Sequence, residues 1–395
     1  MFVELERAIE IIDENIKSGI KTEKLDILDA LGRISSTDII APVDVPLFDR
    51  SPLDGFAIRA EDTEGEGPFE FKVIDKIYAG HITEKVIHKN EAIRIMTGAK
   101  MPEGSNTVVK LEDTIQSENS FTTEIKLKAY QNYVYKGEDI KKGDAIIKKG
   151  DKLNATRIGL LAGMGIREIE VYEIPSIAIL STGDEVVDYK SDIKEGQIYD
   201  SNHMTLLQRV RELGMKYIPQ RSKDDKKDIS GRIEELIEDA DLIITIGGVS
   251  VGDKDLVPKV LEEIGADIFY RRVKLKPGSH LLFSIYKEKP ILSISGNPFA
   301  AYVAFELLGR EIISKISNDK SVKLIKAEAK ARNEFKKSSK IRRFVRASLS
   351  GDEISFPEKH QSGVLSSMAD CNCLVDIKEG SGPIRAGDKV NIFIL

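Results

Sequence analysis

The chain has 395 residues, 41% apolar and 31% charged, with a formal net charge of −6. That length implies two to four domains, and the composition supports packed cores and excludes global disorder. No stretch approaches the roughly 18 uncharged apolar residues of a membrane span. The acid-bearing amphipathic start, MFVELERAIEIIDENI, lacks the order of a secretory signal, so a cytoplasmic protein without a membrane partner is expected.

Apolar residues from Val3 to Ile16 recur at helical spacing and stop at Gly19, which predicts a helix over 3–18. A second short helix is expected near 23–31, ending at Gly32. From 66 to 136 the runs FEFKVI, EAIRIM, NTVVKL and FTTEIKL, separated by Gly, Pro, Asn and Ser, predict a β-rich module. Residues 154–163 read as a helix capped by Asn154 or Thr156. Order and composition suggest that residues 1–45 and 140–172 form one helical, elongated unit interrupted by a β module over 46–139. From 176 strands and helices alternate: SIAIL, helix 202–213, MKYIPQ, helix 226–238, DLIITI, helix 256–264, three further strands to 294, then helix 299–313. This pattern predicts a parallel, doubly wound α/β sheet, whose ligands bind outside the C-terminal strand ends. The remainder to 395 reads as a small β domain.

The segment from Lys320 carries fifteen basic against nine acidic residues, a net +6 that leaves −12 for the rest. A basic tail suits an anion, but without dense basic runs, interleaved aromatics or any Trp a nucleic acid is not expected. Cys371 and Cys373, two apart in a strand, read as core residues, and the five histidines have no metal-ligand spacing.

The strongest local signal is the loop Gly247-Gly248-Val249-Ser250-Val251-Gly252-Asp253-Lys254-Asp255. Its glycines permit close backbone approach to a ligand, a helix start favours an anion, and Asp253 and Asp255 offer hard oxygen ligands for Mg²⁺. A strand-to-helix turn capped by Asp253 is the plain alternative. Walker A and G-x-G-x-x-G patterns are absent. Ser181-Thr182-Gly183-Asp184-Glu185 places two carboxylates at a strand end, for a metal, a heterocycle or merely a cap. Lys276-Pro277-Gly278-Ser279 offers Lys276 as a point charge for an oxyanion, or a solvated lysine at a turn. Ser295-Gly296-Asn297-Pro298 opens a helix. Phe48–Ala57, Met96–Gly104 and Gly137–Asp139 are turn-rich and share Asp and Thr.

Taken together, DRSPLDGFAI, RIMTGAKMPEG, KGEDI, STGDE, GGVSVGD-x-D, KPG, SGNP and HQSGVLSS, in this order, resemble the molybdopterin molybdenumtransferase family, that of bacterial MoeA and the C-terminal region of gephyrin. The resemblance spans essentially the whole chain. It implies a four-part elongated homodimer whose 173–317 domain is MogA-like, with 318–395 as the C-terminal β domain. The active site would lie between that domain of one subunit and the β module of the other. It further implies insertion of molybdenum from molybdate into the dithiolene of adenylylated molybdopterin, with release of AMP assisted by Mg²⁺ or another divalent cation. A contact with a molybdopterin adenylyltransferase is among the partners implied.

Carried over by motif, the catalytic set would be Asp54, Thr97, Asp139, Glu185, Asp224 and Lys276, with Asp255, Asp224 and Glu185 toward the metal. Substrate contacts would be Gly247, Gly248, Ser250, Gly252, Arg272, Pro298, Arg346 and Ser362. The chain departs from the family in having Arg272 for a lysine, Ser279 for the second lysine of KPGKP and Ser295 for the first proline of PGNP. The few cysteines fit a reaction in which the substrate supplies the thiolates that molybdenum prefers. The rival readings are a molybdopterin adenylyltransferase, which the doubly wound domain alone would allow, and a gephyrin-like scaffold.

Overall fold

Alternate residues of SIAILST turn to opposite faces of a sheet, and both faces are covered, which is why the whole run is apolar or small. The structure is a computed structural model and describes residues 2–17, 21–249 and 256–395. It divides into two units, Met1–Glu23 with Glu170–Leu395, and Lys24–Ile169.

The first unit is built on a seven-stranded sheet: β1 (Phe2–Val3), β2 (Ser176–Thr182), β3 (Lys216–Ser222), β4 (Leu242–Ile246), β5 (Asp267–Val273), β6 (His280–Tyr286) and β7 (Lys289–Ile294). Across the sheet they lie in the order β1-β5-β6-β7-β4-β2-β3. Helices α1 (Leu5–Asn15), α2 (Ser201–Glu212), α5 (Pro298–Ala304) and α6 (Arg310–Ser317) cover one face, and α3 (Lys226–Asp239) and α4 (Val257–Glu263) cover the other. Ile177, Ile179 and Ile244 meet Ile12, Leu206 and Ile312, whereas Ala178, Leu180 and Ile243 meet Ile233 and Val260. The sheet is doubly wound but not wholly parallel. β6 runs antiparallel to β5 and β7, because the two-residue turn at Lys287 and Glu288, both at positive φ, closes a hairpin rather than a crossover.

Residues 2–17 pack differently from the helical unit expected over 1–45 and 140–172. β1 joins β5 in parallel, and α1 buries Leu5, Ala8, Ile11 and Ile12 in the sheet's core. Residues 23–31, read as a helix, form the strand Thr22–Asp26 and a short 3₁₀ turn Ile27–Asp29. Exposure alternates along TEKLD, the period of a half-buried strand.

The second unit carries a six-stranded sheet with Glu91–Ile95 and Phe69–Ile77 at its centre, and Gly55–Ile58 lies between Glu91–Ile95 and the edge strand Thr107–Lys110. GFAI, read only as part of a turn-rich motif, is therefore a fully buried strand. Gly55 is obligatory there: a Cβ would stand 1.9 Å from the Val109 carbonyl oxygen of the neighbouring strand. On either side of this module the flanking segments run antiparallel, Ile39–Ile40 with Ala145–Ile147, and the helix Ala155–Gly163 is capped by Asn154.

The C-terminal segment closes into a five-stranded barrel, Ile325–Ala331, Glu353–Ser355, Arg343–Ser350, Cys373–Ile377 and Lys389–Ile394. Cys373 is buried in its core and Cys371 is free at its margin. Along Arg343–Ser350, Val345 and Ala347 point into the barrel. Phe344 points out into the core of the α/β sheet, and Arg346, two residues on, shares its face. No described helix is long and apolar enough to cross a membrane.

Candidate functional site

Two cavities flank the first turn of α5. The larger, about 370 Å³, opens at the C-terminal ends of β2, β4 and β7, where a doubly wound sheet binds ligands. It is lined by Thr182, Glu185, Asp224, Gly247, Gly248, Ser295 and Pro298 among others. Thr182 Oγ1 donates to the Ile246 carbonyl (3.2 Å), and Gly247 N donates to the Ile294 carbonyl (3.0 Å), so three strand ends are tied together. Gly247 has φ 92°, and a Cβ on it would lie 2.9 Å from the Thr182 carbonyl oxygen, so only glycine lets the chain turn away here. Asn202 Nδ2 donates to the Gly296 carbonyl at 2.6 Å, fixing the opposite wall.

The site residues Glu185, Asp224, Gly247, Gly248 and Pro298 thus share one cleft. Ser250, Gly252 and Asp255, with the rest of the loop from 250 to 255, lie outside the described residues. Among the described residues no group of three His, Cys, Asp or Glu is placed to hold a metal ion. Asp200 was missed by sequence reasoning. It is buried, caps α2 through His203 N (3.0 Å), and its Oδ2 lies 3.5 Å from Arg221 Nε. Arg221 also meets Asp188 and the Nδ1 of buried His203. His203 Nε2 lies 3.1 Å from the Ile179 carbonyl, so the ring carries its proton there, and burial holds its pKa below the usual value. A cap motif reads the same with or without a cleft beside it, so D-S-N gave no separate signal.

The smaller cavity, about 260 Å³, is lined by Lys276, Phe299, Lys337, Arg343, Arg346, His360 and Ser362, among others, and among the described residues by no acidic one. The backbone around Lys276 pairs with the barrel strand: Lys276 N donates to the Arg342 carbonyl and Phe344 N to that of Lys276. Phe299 N, in the first turn of α5, donates to the Ser362 carbonyl at 3.1 Å. Arg346 is wholly buried. One guanidinium nitrogen donates to the Gln361 carbonyl (2.8 Å) and more weakly to that of Lys359 (3.3 Å), while Nε and the other terminal nitrogen have no partner. Its charge faces the Phe299 ring, 4.4 Å from the centroid, and burial lowers its pKa. Arg272, expected beside Lys276, is instead an exposed residue of β5 and lines neither cavity. The strand's register shifts between Tyr270 and Arg272, which breaks strict alternation: Arg271 and Arg272 are both exposed, while Tyr270 and Val273 are buried.

In the second unit Asp54 Oδ1 accepts from both Thr97 N and Thr97 Oγ1, each at 2.7 Å. Those two bonds, with Arg94 nearby, hold the carboxyl below its usual pKa. Asp139 sits exposed on its turn, its amide bonded to the Val45 carbonyl, with no bond from its side chain to that pair.

Three family models match the chain: the MoeA N-terminal region (domain I and II) over residues 3–165, the probable molybdopterin binding domain over 178–315, and the MoeA C-terminal region (domain IV) over 328–395. A molybdopterin molybdenumtransferase of Staphylococcus aureus is 35% identical over 373 residues, covering 92% of this chain and 89% of that relative. One from Staphylococcus epidermidis is 34% identical over 383 residues, covering 95% and 91%. Among solved structures, a molybdopterin biosynthesis MoeA protein from Pyrococcus horikosii is similar with a TM-score of 0.88 and 30% identity, covering 100% of this chain and 99% of that one.

Proposed function

Since the chain belongs to the molybdopterin molybdenumtransferase family, enzymes of molybdenum cofactor biosynthesis, we propose that it inserts molybdenum from molybdate into the dithiolene of adenylylated molybdopterin and releases AMP. The observation that carries this reading is Arg346. A wholly buried guanidinium with, among the described residues, two unpartnered nitrogens and no carboxylate in its cavity is costly unless an anion enters. Lys276 and Ser362 share that cavity and supply a point charge and a hydroxyl. The set suits a tetrahedral oxyanion, and the apolar wall of Phe299 thins the surrounding water, strengthening each contact.

The larger cleft is the place for the nucleotide-bearing substrate. Pro298 lines it and Phe299 lines the oxyanion cavity, so a single helical turn parts the two reactants. Mg²⁺ takes one or two carboxylates and fills its shell with water and phosphate oxygens, a demand that Glu185 and Asp224 meet. When bound, the ion would neutralise charge on the phosphoanhydride as AMP leaves. Asp54, Thr97 and Asp139 belong to the same proposal as residues of the insertion step, in a homodimer whose active site is shared between subunits.

The test supplies purified protein with adenylylated molybdopterin, molybdate and Mg²⁺. Release of AMP that depends on molybdate, with active cofactor formed, is the expected result. Folded protein that does neither with intact substrate overturns the reading.

A further inference from the structure

His360 lines the same cavity, its charge can change near neutral pH, and neither the family resemblance nor the proposed reaction gives it a task. It lies on the segment leading to Ser362, and its ring meets Phe335 edge-on at 5.2 Å. Nδ1 is buried without a partner, and among the described residues neither ring nitrogen makes a hydrogen bond. The charged groups lining the cavity are all cations: Lys276 from the loop after β5, Lys337 from the segment before the barrel strand, and Arg343 and Arg346 from that strand. Glu358 and Lys359, its near neighbours in sequence, do not line the cavity.

We propose that His360 takes up a proton when a tetrahedral oxyanion dianion enters this cavity, so that anion capture is coupled to protonation of the ring. This rests on reading the cavity as the oxyanion site. With the cavity empty, the ring stays neutral at pH 7: burial is the largest cause, followed by Lys337 and Arg346, and all three lower its pKa. A dianion reverses the sign of the local field, and the imidazolium then becomes a fifth cation beside Lys276, Lys337, Arg343 and Arg346. Only a titrating group can be uncharged among these four cations and charged beside an anion. A lysine in the same place would repel its neighbours whenever the cavity was empty.

The proton balance is simple: neutral imidazole and one proton from solvent give imidazolium in the complex, with no bond made or broken in the anion. Because the complex binds the extra proton, affinity rises as pH falls through the window between the ring's pKa in the free protein and its higher value in the complex. Within that window affinity changes by up to about tenfold per pH unit.

The experiment is calorimetric titration of the full chain with molybdate, and separately tungstate, in two non-phosphate buffers of different ionisation enthalpy. Uptake of a large fraction of a proton per anion at pH 7 in the wild type, absent in H360Q while the anion still binds, is the expected result. Binding without proton uptake, or equal uptake in H360Q, overturns the coupling and leaves the oxyanion reading standing. No binding of either anion overturns both. As a second measurement, the ring resonance that disappears in H360Q should titrate at higher pH with anion than without; an unchanged midpoint also overturns the coupling.

Discussion

Arg346 lies over the face of Phe299, its guanidinium carbon 4.4 Å from the ring centroid, and among the described residues no carboxylate lines its cavity. A cation held against an aromatic face, and not against an acid, keeps its remaining donors available. Arg346→Met should therefore leave stability within about 1 kcal/mol of wild type, or above it, since an unpaired buried charge is removed. Oxyanion binding should fall at least about 100-fold, a loss of roughly 3 kcal/mol. Thermal unfolding and equilibrium dialysis with molybdate check the two halves.

Lys276 is exposed, so Lys276→Ala should shift stability by no more than about 0.5 kcal/mol. Losing one charge-assisted contact should weaken molybdate binding about 10- to 100-fold. A variant with unchanged affinity and a normal melting curve would remove Lys276 from the site.

Saturating molybdate should raise the melting temperature of the wild type. At about 100 times Kd, mass action adds roughly 2.7 kcal/mol. Arg346→Met should show no such rise at the same concentration, and differential scanning calorimetry reads both.

Asp54 has a depressed pKa because Thr97 donates twice to its ionised form. The stability this gives is present above the unfolded carboxyl pKa of about 3.9 and is lost as pH falls through the lower folded value. The stability difference between wild type and Asp54→Asn should accordingly be full at pH 7 and vanish in strong acid. Denaturant titrations across that range check it. Turnover in Asp54→Asn should drop while molybdate still binds, since Asp54 does not line the oxyanion cavity.

Gly247→Ala should cost about 1–3 kcal/mol and impair substrate binding, because φ 92° is strained for alanine and its Cβ meets the Thr182 carbonyl. Gly55→Ala should be worse, roughly 3 kcal/mol or more, since the clash at 1.9 Å is with a neighbouring strand's backbone inside a sheet. Urea unfolding ranks the two.

The α/β sheet was legible because its strands are short apolar runs bounded by helices with strong period, and the structure returns strands at SIAIL, KYIPQ and LIITI. What sequence could not supply was the destination of a correctly read element. The period of residues 3–16 predicts an amphipathic helix but carries no record of its partner, which lies some 250–300 residues on in β5 and α6. GFAI was hidden by the turn residues that precede it, and TEKLD by charges that looked helical. At the site, Glu185, Asp224, Gly247 and Pro298 line one cleft; the first, third and fourth lie in motifs placed beside predicted strand ends, and Asp224 was singled out by family motif alone. Arg346 was flagged by motif, but its unpaired burial is a property of packing that no spacing encodes. His360 escaped because histidines were weighed as metal ligands, and its setting is made by four cations from three separate segments.

The strand Phe2–Val3 and helix α1 finish a sheet whose other strands begin at Ser176. During synthesis the segment Lys24–Ile169 leaves the ribosome whole before any of those strands exists. An isolated helix of 11 residues is marginal in water, so α1 must wait, apolar face uncovered, for β5 and α6. Residues 24–169 are therefore complete before the sheet that α1 joins, and α1, made ahead of them, is buried only after them. Ribosome-arrest lengths that expose Ile169 but not Val273 should protect residues 24–169 from protease and leave α1 open to it.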